Sequence, residues 1–324
     1  MPVADGVLWM RLPLPMRLDH VNVYALDEGD GWTIVDTGFA SRRGRAIWER
    51  LLAGPLGGRP VRRVVVTHHH PDHVGLAGWF QGQGAELLAT RTSWLFARML
   101  CLDEQPVPPP ETLAFWRGAG MAPDILAERA GTRPFNYADI VAPMPLGFTR
   151  LRDGAEIELG RRRWRVRLGQ GHAPDQATFW GIGHDLVLTA DQVLPRITPN
   201  LGVYATEPEA DPVGEYLAAC VALGEAAHAD QLALPGHQRP FHGIPDRLEA
   251  LVAGHRRMLD RLLAWIEEPR TAAGCFPPLY GRAIGRDEYG LALVEAVGHL
   301  NHLRALGLAV REPGPHGAWL WRRA

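Results

Sequence analysis

The chain has 324 residues, 46% of them hydrophobic and 22% charged, and a formal net charge of -2. That length can bury one large core or two, and the near-neutral balance gives no global field to draw in nucleic acid or a membrane surface. All its basic side chains are arginine, which excludes a lysine nucleophile or Schiff base, and the three widely spaced cysteines Cys101, Cys220 and Cys275 form no disulfide framework and fit a reducing compartment.

In chain order, Val7–Leu14, Val21–Leu26 and Trp32–Val35 alternate or run apolar as strands, and Asp27-Glu28-Gly29-Asp30-Gly31 is the turn between the last two. Charged residues and prolines between Arg11 and Asp19 break any apolar leader, and no run is long enough to span a membrane, so a soluble cytoplasmic protein is expected. A helix is predicted from Ser41 to about Leu52, then a strand over Arg63–Thr67. Directly after it stands Thr67-His68-His69-His70-Pro71-Asp72-His73. His68 and His70 share one face of an extended chain and His69 points the other way, because side chains alternate with period two. Pro71 turns the chain and can return Asp72 and His73 to the same cavity. Imidazole and carboxylate at this density suit zinc, iron or manganese.

A helix from Val74 to Gln81, a strand over Ala85–Ala89 and a helix from Thr92 to Leu102 follow. Residues 103–150 break the pattern, with a rigid Pro106-Val107-Pro108-Pro109-Pro110 stretch and then short helical pieces carrying Phe115, Trp116, Phe135 and Tyr137. This insertion reads as a lid, a local core or a homodimer contact. Asp153-Gly154 is a hairpin-type turn signal, and Ala155–Leu159 and Arg163–Leu168 after it read as paired strands. The arginines of the second strand face solvent rather than a nucleic-acid groove. Strands Phe179–Ile182 and Leu186–Thr189, a helix Asp211–Ala227, a strand Gln231–Leu234 and a long helix Pro245–Glu268 complete the main body. Three further ligand-type side chains sit just past strand ends: His172 in Gly171-His172-Ala173-Pro174-Asp175, Asp191 after Ala190, and His237 in Leu234-Pro235-Gly236-His237. Loops at strand ends are where sites gather.

These motifs make the sequence resemble the metallo-β-lactamase superfamily of metal-dependent hydrolases. The leading His-x-His-x-Asp-His is matched by His68, His70, Asp72 and His73, the later single-residue motifs by His172, Asp191 and His237, and an early Asp-Thr-Gly by Asp36-Thr37-Gly38. The resemblance runs from about residue 5 to 243. It implies an α/β (α+β) four-layer αββα sandwich with a C-terminal winged-helix-like domain. It also implies two divalent metal ions, zinc first with iron or manganese as alternatives. His68, His70 and His172 would hold one ion and Asp72, His73 and His237 the other, with Asp191 as the bridge. Asp36 and His69 would support the site without ligating.

The chemistry expected is hydrolysis. A water shared by two cations loses a proton near neutral pH and becomes a nucleophile, and Asp72 is the catalytic residue that orients it and handles the proton. His70 stands where the oxygen-reducing branch carries an acidic residue, and the Asp191 bridge argues against a true β-lactamase. Substrate candidates are Arg196, Asn200 and Tyr204 in the loop Pro195–Glu207, and Arg239, Phe241 and His242 after the last ligand. An arginine there could hold a carboxylate or phosphate. Leu194 stands where lactone-cleaving relatives carry a tyrosine.

Residues 1–244 are expected as the catalytic domain and 245–324 as a separate domain. In the latter, a second helix near Thr271–Ile284, a third over Asp287–Leu306 and strands around Leu308–Arg311 and Ala318–Trp321 suggest a winged helix with Gly314-Pro315-His316-Gly317 at the wing's tip. Its small positive charge balance does not favour nucleic acid. A small thioester or ester is therefore the leading substrate, as in hydroxyacylglutathione hydrolase-like proteins. The alternatives are an endoribonuclease or phosphodiesterase, a lactone-ring hydrolase, and a non-enzymatic nucleic-acid binder.

Overall fold

A computed structural model describes all 324 residues. It divides into two compact units. One comprises Met1–Glu104, Phe135–Pro199 and Leu223–Arg247; the other comprises Gln105–Pro134, Asn200–Ala222 and Leu248–Ala324.

The first unit is built on two sheets. Strands β1 (Pro2–Ala4), β2 (Val7–Pro13), β3 (His20–Asp27), β4 (Trp32–Val35), β5 (Val61–Val65), β6 (Glu86–Ala89) and β7 (Thr149–Arg150) lie in that spatial order. The pairs up to β3–β4 are antiparallel and those from β4–β5 onward are parallel. The second sheet runs β12 (Leu232–Pro235), β11 (Leu186–Ala190), β10 (Gln176–Gly181), β9 (Arg162–Gly169) and β8 (Glu156–Leu159), with β11 and β12 parallel. Helices α1 (Arg42–Ala53), α2 (Pro71–Val74), α3 (Ala77–Gln81) and α4 (Arg91–Leu102) connect strands of the first sheet.

Period-two alternation sorts the first sheet's side chains into two cores. Val21, Val23, Ala25, Trp32, Ile34, Val64 and Val66 face one way, onto Trp48, Ala77, Phe80 and Ala97 of the helices. Tyr24, Leu26, Val35 and Val65 face the other way, onto Trp164, Val166, Phe179, Leu188 and Leu234 of the second sheet. Truncating a fully buried ring such as Phe179 costs about 3–5 kcal/mol.

Two predicted helices come out differently. Val74–Gln81 is interrupted, because Pro71 starts α2 at its first position and the chain breaks at Gly75. A side chain there would lie 2.4 Å from the Gly38 carbonyl oxygen, and the Gly75 carbonyl accepts from Ala142 N–H rather than from the next turn. Thr271–Ile284 shrinks to a 3₁₀ turn and one short helix.

The second unit is assembled from α5 (Pro110–Gly118), α6 (Pro123–Ala130), most of α7 (Pro212–Gly224) and α8 (Ile244–Trp265), α9 (Phe276–Tyr280), α10 (Arg286–Ala305) and an antiparallel pair, β13 (Ala309–Pro313) and β14 (Trp319–Arg323). Pro277 and Pro278 keep α9 short by removing donors, and Gly281 ends it at φ +64. Buried Leu293, Val297, Leu300 and Leu303 of α10 join Leu262 and Trp321 in its interior. The separate stretches are tied by specific contacts. Gly118 lies against the Trp319 ring, Ala122 N–H donates to the Tyr289 hydroxyl at 3.1 Å, and Asn301 Nδ2 donates to the Pro208 and Ala210 carbonyls at 3.0 Å.

Candidate metal centre

Four strands end beside one another and release their chains into the site. β4 is followed by Asp36, β5 by Val66-Thr67-His68, β11 by Asp191, and β12 by Gly236-His237. The loop between β9 and β10 supplies His172. The backbone is forced to turn sharply at these points. Asp36, Asp175, Ala190 and Gln238 all have positive φ (46–67°), leaving only Arg161 and His316 as non-glycine residues of that kind elsewhere. Such backbone costs roughly 1 kcal/mol or more per residue and persists where the surroundings impose it, typically at functional sites.

The seven expected ligands converge. His68 Nε2, His70 Nδ1 and His172 Nε2 are linked by two 3.0 Å separations. Asp72 Oδ2 lies 3.6 Å from His73 Nε2 and 3.4 Å from His237 Nε2. Asp191 Oδ2 sits between the two sets, 3.4 Å from His172 Nε2, 3.4 Å from His73 Nε2 and 3.2 Å from His237 Nε2. Gly236 is required for this closeness, since a Cβ there would fall 2.0 Å from Asp191 Oδ1.

The donor set fits divalent cations. Three imidazole nitrogens meeting at 3.0 Å cannot all hydrogen-bond one another, whereas tetrahedral ligands at zinc–nitrogen distances stand about 3.3 Å apart. His73 Nε2 and Asp191 Oδ1 are buried without hydrogen-bond partners, a costly state for a ligand atom with nothing to bind. Five imidazoles, two carboxylates and no thiolate form a borderline set that does not select among zinc, iron and manganese.

A supporting layer fixes each imidazole. Asp36 Oδ2 accepts from His73 Nδ1 at 2.8 Å, and the same carboxylate accepts from Thr67 N–H at 2.9 Å and from the Thr67 hydroxyl at 2.8 Å. Thr67 Oγ1 lies 3.0 Å from His68 Nδ1. His237 Nδ1 donates to the His20 carbonyl at 2.8 Å. Such contacts set the tautomer and ring orientation of a ligand. Asn22 Nδ2 and the Tyr24 hydroxyl each donate to the Pro235 carbonyl at 2.8 Å, which anchors the turn before His237. On the other side, Asp175 accepts from Thr92 and from Gln170 Nε2 (2.8 Å), and Gln192 Nε2 donates to the Gln170 carbonyl at 3.4 Å. That chain of contacts couples the His172 loop to the residue next to Asp191.

The charges separate accordingly. Burial, with neighbouring imidazoles, pushes His68 and His70 well below the ordinary histidine range. Burial likewise pushes His69 down to about 3. Burial opposes protonation of His73 as well, but the carboxylates of Asp191, Asp72 and Asp36 raise it well above the usual range. Against the effect of burial, His237 and His73 hold the Asp191 carboxyl well below its ordinary value.

The expected substrate residues are less concentrated. Arg196 and Arg239 are exposed, and Arg196 N–H donates to Gln238 Oε1 at 3.1 Å, so the loops after Asp191 and His237 are tied together where these arginines project. His242 Nδ1 lies 3.1–3.2 Å from the Gln231 and Asp230 carbonyls, at the end of β12 opposite His237. Phe241 pairs through its backbone with Ala233. Asn200 and Tyr204 lie in the second unit, where Asn200 Nδ2 donates to Glu295 at 3.2 Å. Thr67, His20, Gln170 and Gln192 were not singled out from sequence. Only Thr67 had a usable signal, its place inside the motif; the others act through backbone atoms or long-range contacts.

The family model for the metallo-beta-lactamase superfamily matches residues 16–252, and that for the metallo-beta-lactamase-like C-terminal domain matches residues 259–324. The probable metallo-hydrolase YqjP of Bacillus subtilis (strain 168) is 25% identical, with 93% of each chain covered. Among solved structures, a beta-lactamase domain protein from Burkholderia ambifaria is 36% identical, with a TM-score of 0.91 over 100% of this chain and 94% of that one. The metallo-beta-lactamase family protein TTHA1429 from Thermus thermophilus is 29% identical, with a TM-score of 0.82 over 100% of both chains.

Proposed function

The chain belongs to the metallo-beta-lactamase superfamily, and from that premise we propose that it is a binuclear metal-dependent hydrolase acting on a small thioester or ester. The observation that carries this reading is the position of Asp191 Oδ2, within 3.2–3.4 Å of nitrogens from both ligand sets. One carboxylate oxygen shared in this way suits two cations with a common solvent ligand better than two structural ions, which need closed, separate cages.

His68, His70 and His172 would hold one cation, Asp72, His73 and His237 the other, and Asp191 both. When bound, the cations supply a water acidified to near neutrality and Lewis acidity toward a carbonyl oxygen. Asp72 contributes Oδ2 to the ligand set and leaves Oδ1 to take the proton of the attacking water and return it to the departing sulfur or oxygen. Asp36 and Thr67 keep His73 and His68 from rotating away. No serine or cysteine nucleophile is needed. Arg196 and Arg239, on two tied loops that also carry ligands, are the candidate grip for an anionic group on the substrate. The chain's charge balance disfavours a polyanion such as RNA, and Leu194 in place of a tyrosine disfavours a lactone.

The test is a panel of thioesters, esters, lactones and a phosphodiester, assayed on protein loaded with zinc, manganese or iron. Thioesters and esters should be turned over fastest. His70→Ala and Asp191→Ala should each lower turnover at least a thousandfold while the circular dichroism spectrum stays that of the parent. Faster cleavage of the phosphodiester, or turnover surviving both substitutions, would overturn the proposal.

A further inference from the structure

Helix α7 does not match its surroundings. Between Pro212 and Gly224 its only charged residue is Glu215, and a helix apolar on nearly every side belongs in an interior. Ala218, Val221 and Ala222 nevertheless stand exposed, Val221 by 60%. Leu217, one turn before Val221 on the same side, lines a groove of about 310 Å³ in the second unit. The other apolar walls are Leu259 and Leu263 of α8, and Leu303, Leu306 and Leu308 at and beyond the end of α10. Leu306 and Leu308 flank the Gly307 turn and are 56% and 43% exposed. Groove, turn and the outer face of α7 make one apolar surface, and exposed patches of that kind mark interaction sites.

Three polar side chains complete the groove. His302 is held by Asp211, with Nδ1 2.9 Å from Oδ2. Arg256 and Asp260, one turn apart on α8, are exposed, and neither makes an ion pair or a side-chain hydrogen bond. Basic before acidic is the poorer order for an i, i+4 pair within one helix. Between two copies the same order is self-complementary. A twofold axis crossing α8 near Met258 runs a second α8 antiparallel to the first. Arg256 then stands opposite the partner's Asp260, and Asp260 opposite the partner's Arg256. A small anion seated in the groove meets the Asp260 carboxylate, and a small cation meets Arg256. A second copy meets the opposite charge at both places.

We infer that this surface is the interface of a symmetric dimer of the chain. The groove and the outer face of α7 in each copy are covered by the other copy, and two Arg256–Asp260 pairs close the contact on either side of the axis. One patch supplies both the recess and, in Leu306 and Leu308, the side chains that fill it, as an isologous contact requires. The interface draws on the second unit alone and is independent of the metal centre and its substrate.

The test is sedimentation equilibrium of the full chain at micromolar concentration, where the parent should be a dimer. Leu306→Glu, at an exposed position, should weaken association about tenfold or more by carrying an unpaired charge into the contact. Arg256→Asp and Asp260→Arg should each weaken it about as much, because the axis then sets like charges against each other twice. Mixing these two variants should restore association as a heterodimer, since acid again faces base at both places. That rescue also shows that both variants are folded. A parent that stays monomeric, a dimer unmoved by Leu306→Glu or by either charge reversal, or a mixture that stays apart would each sink the interface. So would a monomer that takes up laurate in calorimetric titration, which would make the groove a cleft for an alkyl chain.

Discussion

At the scale of single residues, the candidate ligands were readable because histidine is scarce and its spacing is meaningful. Four histidines and an aspartate within six positions, then single histidines or aspartates after apolar runs, leave few alternatives to a metal cage, and all seven side chains meet in space. The residues that hold them were less readable. His20 acts through its carbonyl, which any residue could supply, and Gln192 acts through a contact 22 positions away. Asp36 is the exception, because the Asp-Thr-Gly motif marks it. Its carboxylate is the hub for Thr67 and His73, and its φ of 59° is one that asparagine also tolerates. Asp36→Asn should therefore fold and yet bind metal about 10–100-fold more weakly at the site containing His73, as outer-layer substitutions commonly do. Competition with a chromophoric chelator would measure this, and unchanged affinity would assign Asp36 a purely structural role.

Among the elements, strands were the easier part, since period-two alternation and apolar runs both mark them. β1 and β7 escaped notice because two or three residues carry no periodicity. Two predicted helices broke for different reasons, at Gly75 because tertiary contacts override propensity and at α9 because the paired prolines and Gly281 are themselves helix breakers. One element carries a titratable group of its own. Glu295 of α10 receives hydrogen bonds from the Tyr280 hydroxyl at 3.1 Å and Asn200 Nδ2 at 3.2 Å. Burial nevertheless pushes its carboxyl up to about 7, outweighing the downward pull of those bonds. An acid whose folded value is raised favours the folded state while it stays neutral. That advantage is whole below its unfolded value near 4.5 and is lost as pH rises through about 7. Glu295→Gln keeps the shape and removes the ionisation. Its Tm should exceed the parent's at pH 8 by a few degrees and match it at pH 5. A variant less stable than the parent at pH 8 would show that the ionised carboxylate is the form the fold wants.

For the whole molecule, the mixed α/β sandwich was legible because the motifs specify it and because strands and helices alternate in the required order. The make-up of the second unit was not, because no periodicity tells residues 105–134 or 200–222 which partners they will find. Two bound cations should stabilise the chain measurably, since anything that binds only the folded state adds RT ln(1 + [L]/Kd), about 4 kcal/mol at a thousandfold excess over Kd. Stripping metal with a chelator should lower Tm by several degrees, and added zinc should restore it. A melting curve indifferent to both would mean that the cage is filled by nothing.

The patchwork make-up of the second unit also constrains how the polypeptide is made. Its earliest stretch leaves the ribosome long before Trp319, the ring against which Gly118 lies, has been translated. Residues 105–134 cannot complete these contacts until Trp319 has been translated, and stay in reach of chaperones or proteases meanwhile. A gene truncated after residue 247 would never end that wait, so the stub should reach the cell as a degradation target rather than as a smaller enzyme.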